Sequence, residues 1–176
     1  GLGRSFQDAR LFPGLTVTET LATALERWIE AGDPVTAAFR LPAGQITEAA
    51  VAERVDVLLE LFGLTALRST RVAELSTGSR RMVDLACVVA HGPSVVLLDE
   101  PSSGIAQREA EALAPLLADL RRTLGATLLV IEHDISLVSS IADRLVALDE
   151  GAVVTSGPPA AVLGLVGLAG WMQLRP

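Results

Sequence analysis

Apolar positions in the first half of the chain recur at helical spacing. Thr16-Val17-Thr18-Glu19 fits a capping box, in which hydroxyl and carboxylate satisfy reciprocal backbone donors. Behind it Leu21, Ala24, Leu25, Trp28 and Ile29 share a face, which predicts a helix to about Glu30, stopped by Gly32-Asp33-Pro34. The stretch from Pro34 to Gln45 has little period, and Pro42 and Gly44 mark it as loop. From Thr47 a second amphipathic helix is predicted, with Val51, Val55, Leu58, Leu59 and Phe62 on one face and its end at Gly63.

The second half has another rhythm. Met82, Leu85, Ala86 and Val89 form a helical face, with Ser76 as N-cap and Gly92-Pro93 beyond the end. Val95 to Leu98 is a short, continuous apolar run that stops at Asp99-Glu100. A stripe of Leu113, Leu116, Leu117, Leu120 and Leu124 follows, and Pro115 within it predicts a kink or a helix that starts near there. Thr127 to Ile131 is a second apolar run, ending at Glu132-His133-Asp134. Strand, helix and strand in this order form a parallel crossover, and continuous apolar runs suit strands covered by helices. Leu145 to Leu148 and Ala152 to Thr155, joined through Asp149-Glu150-Gly151, predict a terminal hairpin. A helical half therefore precedes an α/β half, with no repeat or charge block between them.

Composition narrows the classes. The 176 residues suffice for one domain, and half of them are hydrophobic. A net charge of -7 argues against non-specific nucleic-acid binding, which needs a basic surface to displace counterions. Cys87 is the sole cysteine, so no internal disulfide forms and a reducing compartment is expected. The uncharged tail from Ala152 to Leu174 is broken by Gly157, Pro158 and Pro159, which disfavours a membrane-spanning helix and favours a soluble chain. All 14 basic residues are arginine. The phosphate loop GxxxxGK uses its lysine to reach the terminal phosphates of a nucleotide, so these residues cannot contain it.

Ligands of open parallel sheets bind beyond the carboxyl ends of the strands, where both apolar runs terminate in acids. An aspartate there can hold Mg²⁺ through water, a neighbouring glutamate can polarise a water for attack on a phosphoryl group, and a histidine can bond the charge that builds. Strands also end in polar residues for no chemical purpose, and Glu132 or Asp134 could cap the following helix. Leu75 to Ser79 sets a hydroxyl, a glycine and free N–H groups at a helix start, which suits either a phosphate or an ordinary serine cap. Gln7 by itself is uninformative.

Taken together, these segments resemble the ATP-binding subunits of ABC transporters in order and spacing. Leu75 to Ser79 is similar to the signature motif LSGGQ, and VVLLDEP (Val95 to Pro101) to the Walker B strand with its glutamate. Ser103-Gly104-Ile105-Ala106 stands where the D-loop would be, His133 in VIEHD where the switch histidine would be, and Ser5-Phe6-Gln7 resembles the Q-loop. RSFQDARLFPGLTVTET and IEHDISLVSSIADRLVALDEGAVVTSGPP are similar to the subfamily serving branched-chain amino-acid uptake.

The resemblance implies an α/β, P-loop NTPase-like nucleotide-binding domain, truncated at its N-terminus. A helical subdomain (8–75) precedes a parallel-sheet βαβ core with terminal hairpin (76–159), and 160–176 is an unassigned tail. By that resemblance Glu100 is the general base and His133 contacts the γ-phosphate. Gln7 senses γ-phosphate and metal, and Asp99 orients Mg²⁺. Ser76, Thr77, Gly78 and Ser79, with Ser103 and Gly104, bind ATP, with Ser76 and Gly78 reaching the nucleotide of the opposite subunit. The implied partners are a second ATP-binding subunit, identical or not, and membrane permease subunits at the cytoplasmic face of the plasma membrane, with no nucleic acid.

Thr77 and Ser79 depart from the signature pattern, as does Ala106 from the D-loop's usual aspartate or asparagine. The Walker A region and its strand are absent from these residues, which predicts unpaired apolar surface, marginal stability and no ATP hydrolysis by this chain alone. Two other readings remain: a non-catalytic module that lends its signature helix to a complete subunit, and a soluble ABC-type ATPase.

Overall fold

The computed structural model describes residues 1–6, 10–26, 42–105 and 107–169. It divides into two compact units, Gly1–Ile131 and Glu132–Pro176. In the first, strand β1 (Leu2–Arg4) is followed by helices α1 (Val17–Leu25), α2 (Pro42–Leu61) and α3 (Thr77–Ala90), then β2 (Val95–Asp99), α4 (Gln107–Leu124) and β3 (Thr127–Ile131). The second holds α5 (Ile135–Ile141), the strands β4 (Leu145–Asp149) and β5 (Ala152–Gly157), and α6 (Pro159–Ala169).

The capping box forms as the sequence predicts. Thr16 Oγ1 accepts from the Glu19 N–H at 3.2 Å, and the Glu19 carboxylate accepts from the Thr16 N–H at 2.8 Å. These bonds hold the Glu19 carboxyl below the usual carboxylate range. Val17, Leu21 and Leu25 of α1 are buried, and α1 packs on α2 and α3. The predicted continuation of α1 through Trp28 and Ile29 lies outside the described residues.

Two boundaries differ from the sequence expectation. Helix α2 starts at Pro42, inside the stretch read as loop to Gln45. A proline in the first helical turn loses no hydrogen bond, because that turn's N–H groups have no helical partner, and its fixed φ already suits the helix. Helix α4 begins at Gln107 and continues through Pro115, not near it. Leu113 lies before the proline and Leu117 and Leu120 after it, all buried. Burial of each such leucine is worth about 1.5–3 kcal/mol, which together offsets the roughly 3 kcal/mol that an interior proline costs.

The first unit's sheet is parallel, with β2 between β1 and β3. β1 is absent from the sequence reading, because Leu-Gly-Arg carries no period. It forms through its neighbours: Ser5 N–H donates to Leu97 O at 3.0 Å, and Ser94 N–H to Gly1 O at 2.8 Å. The register places Gly3, Val96, Leu98, Leu128 and Val130 on one face. There α3 and α4 cover the sheet, and a cavity of only ≈ 10 Å³ remains among Leu85, Val88, Val96, Leu98, Leu117 and their aliphatic neighbours. The other face carries Leu2, Leu129 and Ile131, which are 68%, 58% and 59% exposed.

In the second unit Asp134 caps α5, accepting from the N–H groups of Ser136 and Leu137 at 2.8 and 3.1 Å. The hairpin is antiparallel, with an irregularity between Ala147 and Leu148 and positive φ at both turn residues, Glu150 and Gly151. The tail that the sequence leaves unassigned continues as α6, with Val162 buried. Among the described residues no helix is long and apolar enough to cross a membrane.

Gly3 sits where β1 meets α3: a Cβ there would lie 2.8 Å from Val88 Cγ1 and 3.1 Å from Pro93 Cγ. Gly3→Ala is therefore expected to lower unfolding stability by about 1–3 kcal/mol, measured as a reduced urea midpoint.

Candidate functional site

The carboxyl end of β2 is the chemical focus of the first unit. Asp99 closes the strand, and Glu100 follows with φ +43, a left-handed conformation rare outside glycine and costing roughly 1–2 kcal/mol. The turn is held by hydrogen bonds: Glu100 N–H donates to Ile131 O at 2.9 Å, and Ser103 N–H to Glu100 O at 3.0 Å. Asp99 is half-buried, with Arg4 Nη2 4.0 Å from its Oδ2.

The signature-like segment enters α3 as a serine cap. Ser76 Oγ accepts from the Ser79 N–H at 3.0 Å, and Ser76 and Ser79 share a hydroxyl bond at 3.0 Å. The Arg80 guanidinium grips Leu75 O through Nε and Nη2, at 3.1 and 3.0 Å, and fixes the turn before the helix. Ser76 and Thr77 remain exposed, whereas Gly78 is buried. Gly104, at φ +72, lies against this segment: the position its Cβ would take is 3.6 Å from Thr77 Cγ2. The fold thus brings the D-loop-like glycine and the signature-like threonine together. Ser103 is exposed beside them.

Sequence reasoning missed Arg81. It is 4% exposed, and its guanidinium donates to Asp99 O at 2.7 Å, to Glu100 O at 3.1 Å and to the carbonyl of Phe6. Phe6 is the residue before Gln7, which itself lies outside the described residues, as does Ala106. One turn along α3, Asp84 accepts from the buried Ser5 hydroxyl at 2.6 Å. The signal was available: Arg81 precedes Leu85 and Val88 at helical spacing, a charge at a core position.

His133 lies in the second unit. It is exposed, and its Nδ1 is 3.9 Å from the Glu132 carboxylate, which also accepts from the His133 N–H at 3.1 Å. Asp134 acts as the cap that the sequence left open for it. Among the described residues no cluster of three or more acidic, His or Cys side chains could hold a metal. Asp99 alone fits the habit of Mg²⁺, which takes one or two carboxylates and completes its shell with water and phosphate oxygens.

Residues 1–103 match the ABC transporter family. The branched-chain amino-acid transport ATP-binding protein LivG of Salmonella typhimurium is 31% identical over 159 residues, and BraF of Pseudomonas aeruginosa 33%. In both comparisons the match covers 90% of this chain and 62% of the relative. The solved structure of cbiO1 from Clostridium perfringens, described as part of the ABC transporter complex cbiONQ, superposes with a TM-score of 0.74 at 26% identity. That superposition covers 97% of this chain and 63% of cbiO1. The fold is that of an ABC nucleotide-binding domain, and the chain belongs to the ABC transporter family. It spans less than two thirds of the length of these relatives.

Burial and ionisation around α3 give two measurable consequences. Desolvation raises the Asp84 carboxyl, opposed by the Ser5 hydroxyl and the Arg81 charge. The folded state then holds that proton more tightly than the unfolded chain, so stability present at low pH is lost as pH rises through the raised value. Asp84→Asn should gain stability relative to the parent as pH rises above about 4, seen in urea midpoints; a pH-independent difference would refute this. Cys87, pushed up to about 12 by burial and by Asp84, should be alkylated at neutral pH at least ~100-fold more slowly folded than unfolded.

Proposed function

We propose that these residues are the helical subdomain (8–75) and second half of the core (76–159) of an ATP-hydrolysing subunit that drives an ABC importer. The solute is a branched-chain amino acid or a related small molecule. The observation that carries this reading is the meeting, in one unit, of the Ser76-capped helix, Gly104 against Thr77, and the strained Asp99-Glu100 turn. LivG and BraF carry the names of branched-chain amino-acid transport proteins, which favours that solute class.

In this mechanism Glu100 takes a proton from the attacking water, and Asp99 with Gln7 would hold Mg²⁺. Bound Mg²⁺ would neutralise charge on the phosphoryl oxygens. His133 is given the γ-phosphate contact by family resemblance. Phosphoryl transfer depends on positioning and charge stabilisation more than on covalent chemistry by the protein. Ser76 and Gly78 bind the γ-phosphate of a nucleotide held by a second ATP-binding subunit. Their place at the start of α3, with Ser76 and Thr77 exposed, suits a ligand that arrives from outside the chain. The paired subunits act at the cytoplasmic face of the membrane, peripheral to permease subunits.

The lysine that grips the triphosphate is not among these 176 residues, so a loop outside them supplies it. The apolar sheet face at Leu2, Leu129 and Ile131 fits the same reading, as surface that a complete domain covers. Alternatively, the chain lends its signature helix to a complete subunit, and the exposed Ser76 favours that arrangement.

The deciding experiment is ATP binding and turnover by the purified chain, alone and mixed with a complete ATP-binding subunit of the same transporter. Alone, the chain should neither capture Mg-ATP tightly nor turn it over. Turnover by the chain alone that vanishes in Glu100→Gln would overturn the reading. In the mixture, Ser76→Ala should lower kcat by at least ~10-fold if the helix is used in trans; no change would remove that role.

A further inference from the structure

The signature-like segment, the Walker B-like turn and the approach to Gln7 come from three separated parts of the sequence. One side chain links all three. The Arg81 guanidinium donates to the carbonyls of Phe6, Asp99 and Glu100, and it is 4% exposed, so water does not share its bonds. Arg81 lies on the same helix that Ser76 caps. Asp84, one turn on, holds the adjacent Ser5 hydroxyl, so the strand end is fastened at two points.

Glu100 needs such a restraint. Its φ of +43 is strained for a side chain with a Cβ, and left-handed backbone persists only where its surroundings over-determine it. A planar guanidinium is well matched to this restraint, because it presents several donors in fixed directions and keeps its charge at every accessible pH.

We propose that Arg81 is a positioning residue that locks Glu100 in its strained conformation and ties the Ser76 helix and the strand end at Phe6 to it as one rigid piece. The consequence for hydrolysis rests on the reading of Glu100 as the base; the lock itself rests on the hydrogen bonds alone. A shift of the signature helix on engaging a second subunit would then reach the water-activating carboxylate through this guanidinium.

Amide hydrogen exchange on the whole chain tests the lock without nucleotide. The amides of Glu100 and Ser103 report the turn directly, since they donate to Ile131 O and Glu100 O. In Arg81→Met these two amides should exchange at least ~10-fold faster than in Val83→Ala, a buried change on the same helix that removes no hydrogen-bond donor. Both variants are compared at denaturant concentrations that match their global stability. Arg81→Gln, which keeps some donors and the stem, should give intermediate protection, and it serves as the test variant if Arg81→Met does not fold. Glu100→Gly provides the second readout: glycine needs no restraint at this φ, so Arg81→Gln should lower the unfolding midpoint less in that background than in the parent.

Equal exchange in the Arg81 and Val83 variants, or equal loss of midpoint in both backgrounds, would overturn the lock. Neither result depends on ATP, so turnover by the chain alone that vanishes in Glu100→Gln would sink the functional reading and leave this one standing.

Discussion

A guanidinium taken out of water must recover its lost hydration from oxygen atoms of the protein, or it is not buried at all. Through its two terminal nitrogens Arg81 donates to main-chain carbonyls at a sheet's carboxyl edge, and Asp84 lies one turn on along the same helix. Carbonyls are an exacting choice of partner. A carboxylate on a flexible stem can follow its cation, but a carbonyl can be reached only if the backbone is already in place. The bonds to Asp99 and Glu100 therefore exist only when β2 ends in the left-handed turn, and they resist any other course for that turn. Removing one partner of such a set costs several kcal/mol, of order 3–5 for a buried ion pair, because the remaining group is left desolvated. That asymmetry makes the turn, the helix and the strand end depend on one another.

The sheet of the first unit has two unlike faces, and this follows from how its strands are covered. α3 and α4 close over Val96, Leu98 and Leu128, leaving almost no void. The opposite face shows Leu2, Leu129 and Ile131 to solvent. Parallel strands with continuous apolar character suit helices on both sides. The sequence of β3, Thr-Leu-Leu-Val-Ile, is written for such a setting, while among the described residues of the first unit the helices cover one side. At about 25 cal/mol per Å² of apolar area, cover on the open face would add materially to stability.

Local rules succeed or fail by a simple criterion: whether the residues that decide an element lie close together in sequence. The capping box at Thr16, the serine cap at Ser76, the aspartate cap at Asp134 and the Glu150-Gly151 hairpin are each contained within a few residues and are all legible. β1 is illegible because three residues without period become a strand only through bonds to Leu97 and Ser94. The start of α2 at Pro42 is equally hidden, because proline breaks helices everywhere except the first turn, and sequence does not say which turn it is in. Helix α4 crosses Pro115 because leucines on both sides are buried, a tertiary gain that outweighs a local penalty.

By itself, the sequence determined the family and the order of the elements from α1 to β5, because spaced motifs such as VVLLDEP and VIEHD keep their identity without any contact. It also determined that no phosphate-loop lysine is available, since a missing residue type needs no fold to be noticed. Tertiary structure alone decided that Arg81 is the joint of the site, that Glu100 is held in a left-handed turn and that Gly104 lies against Thr77. Each of those facts is a contact between segments far apart in the chain, set by which carbonyls and side chains converge when α3 packs on the sheet.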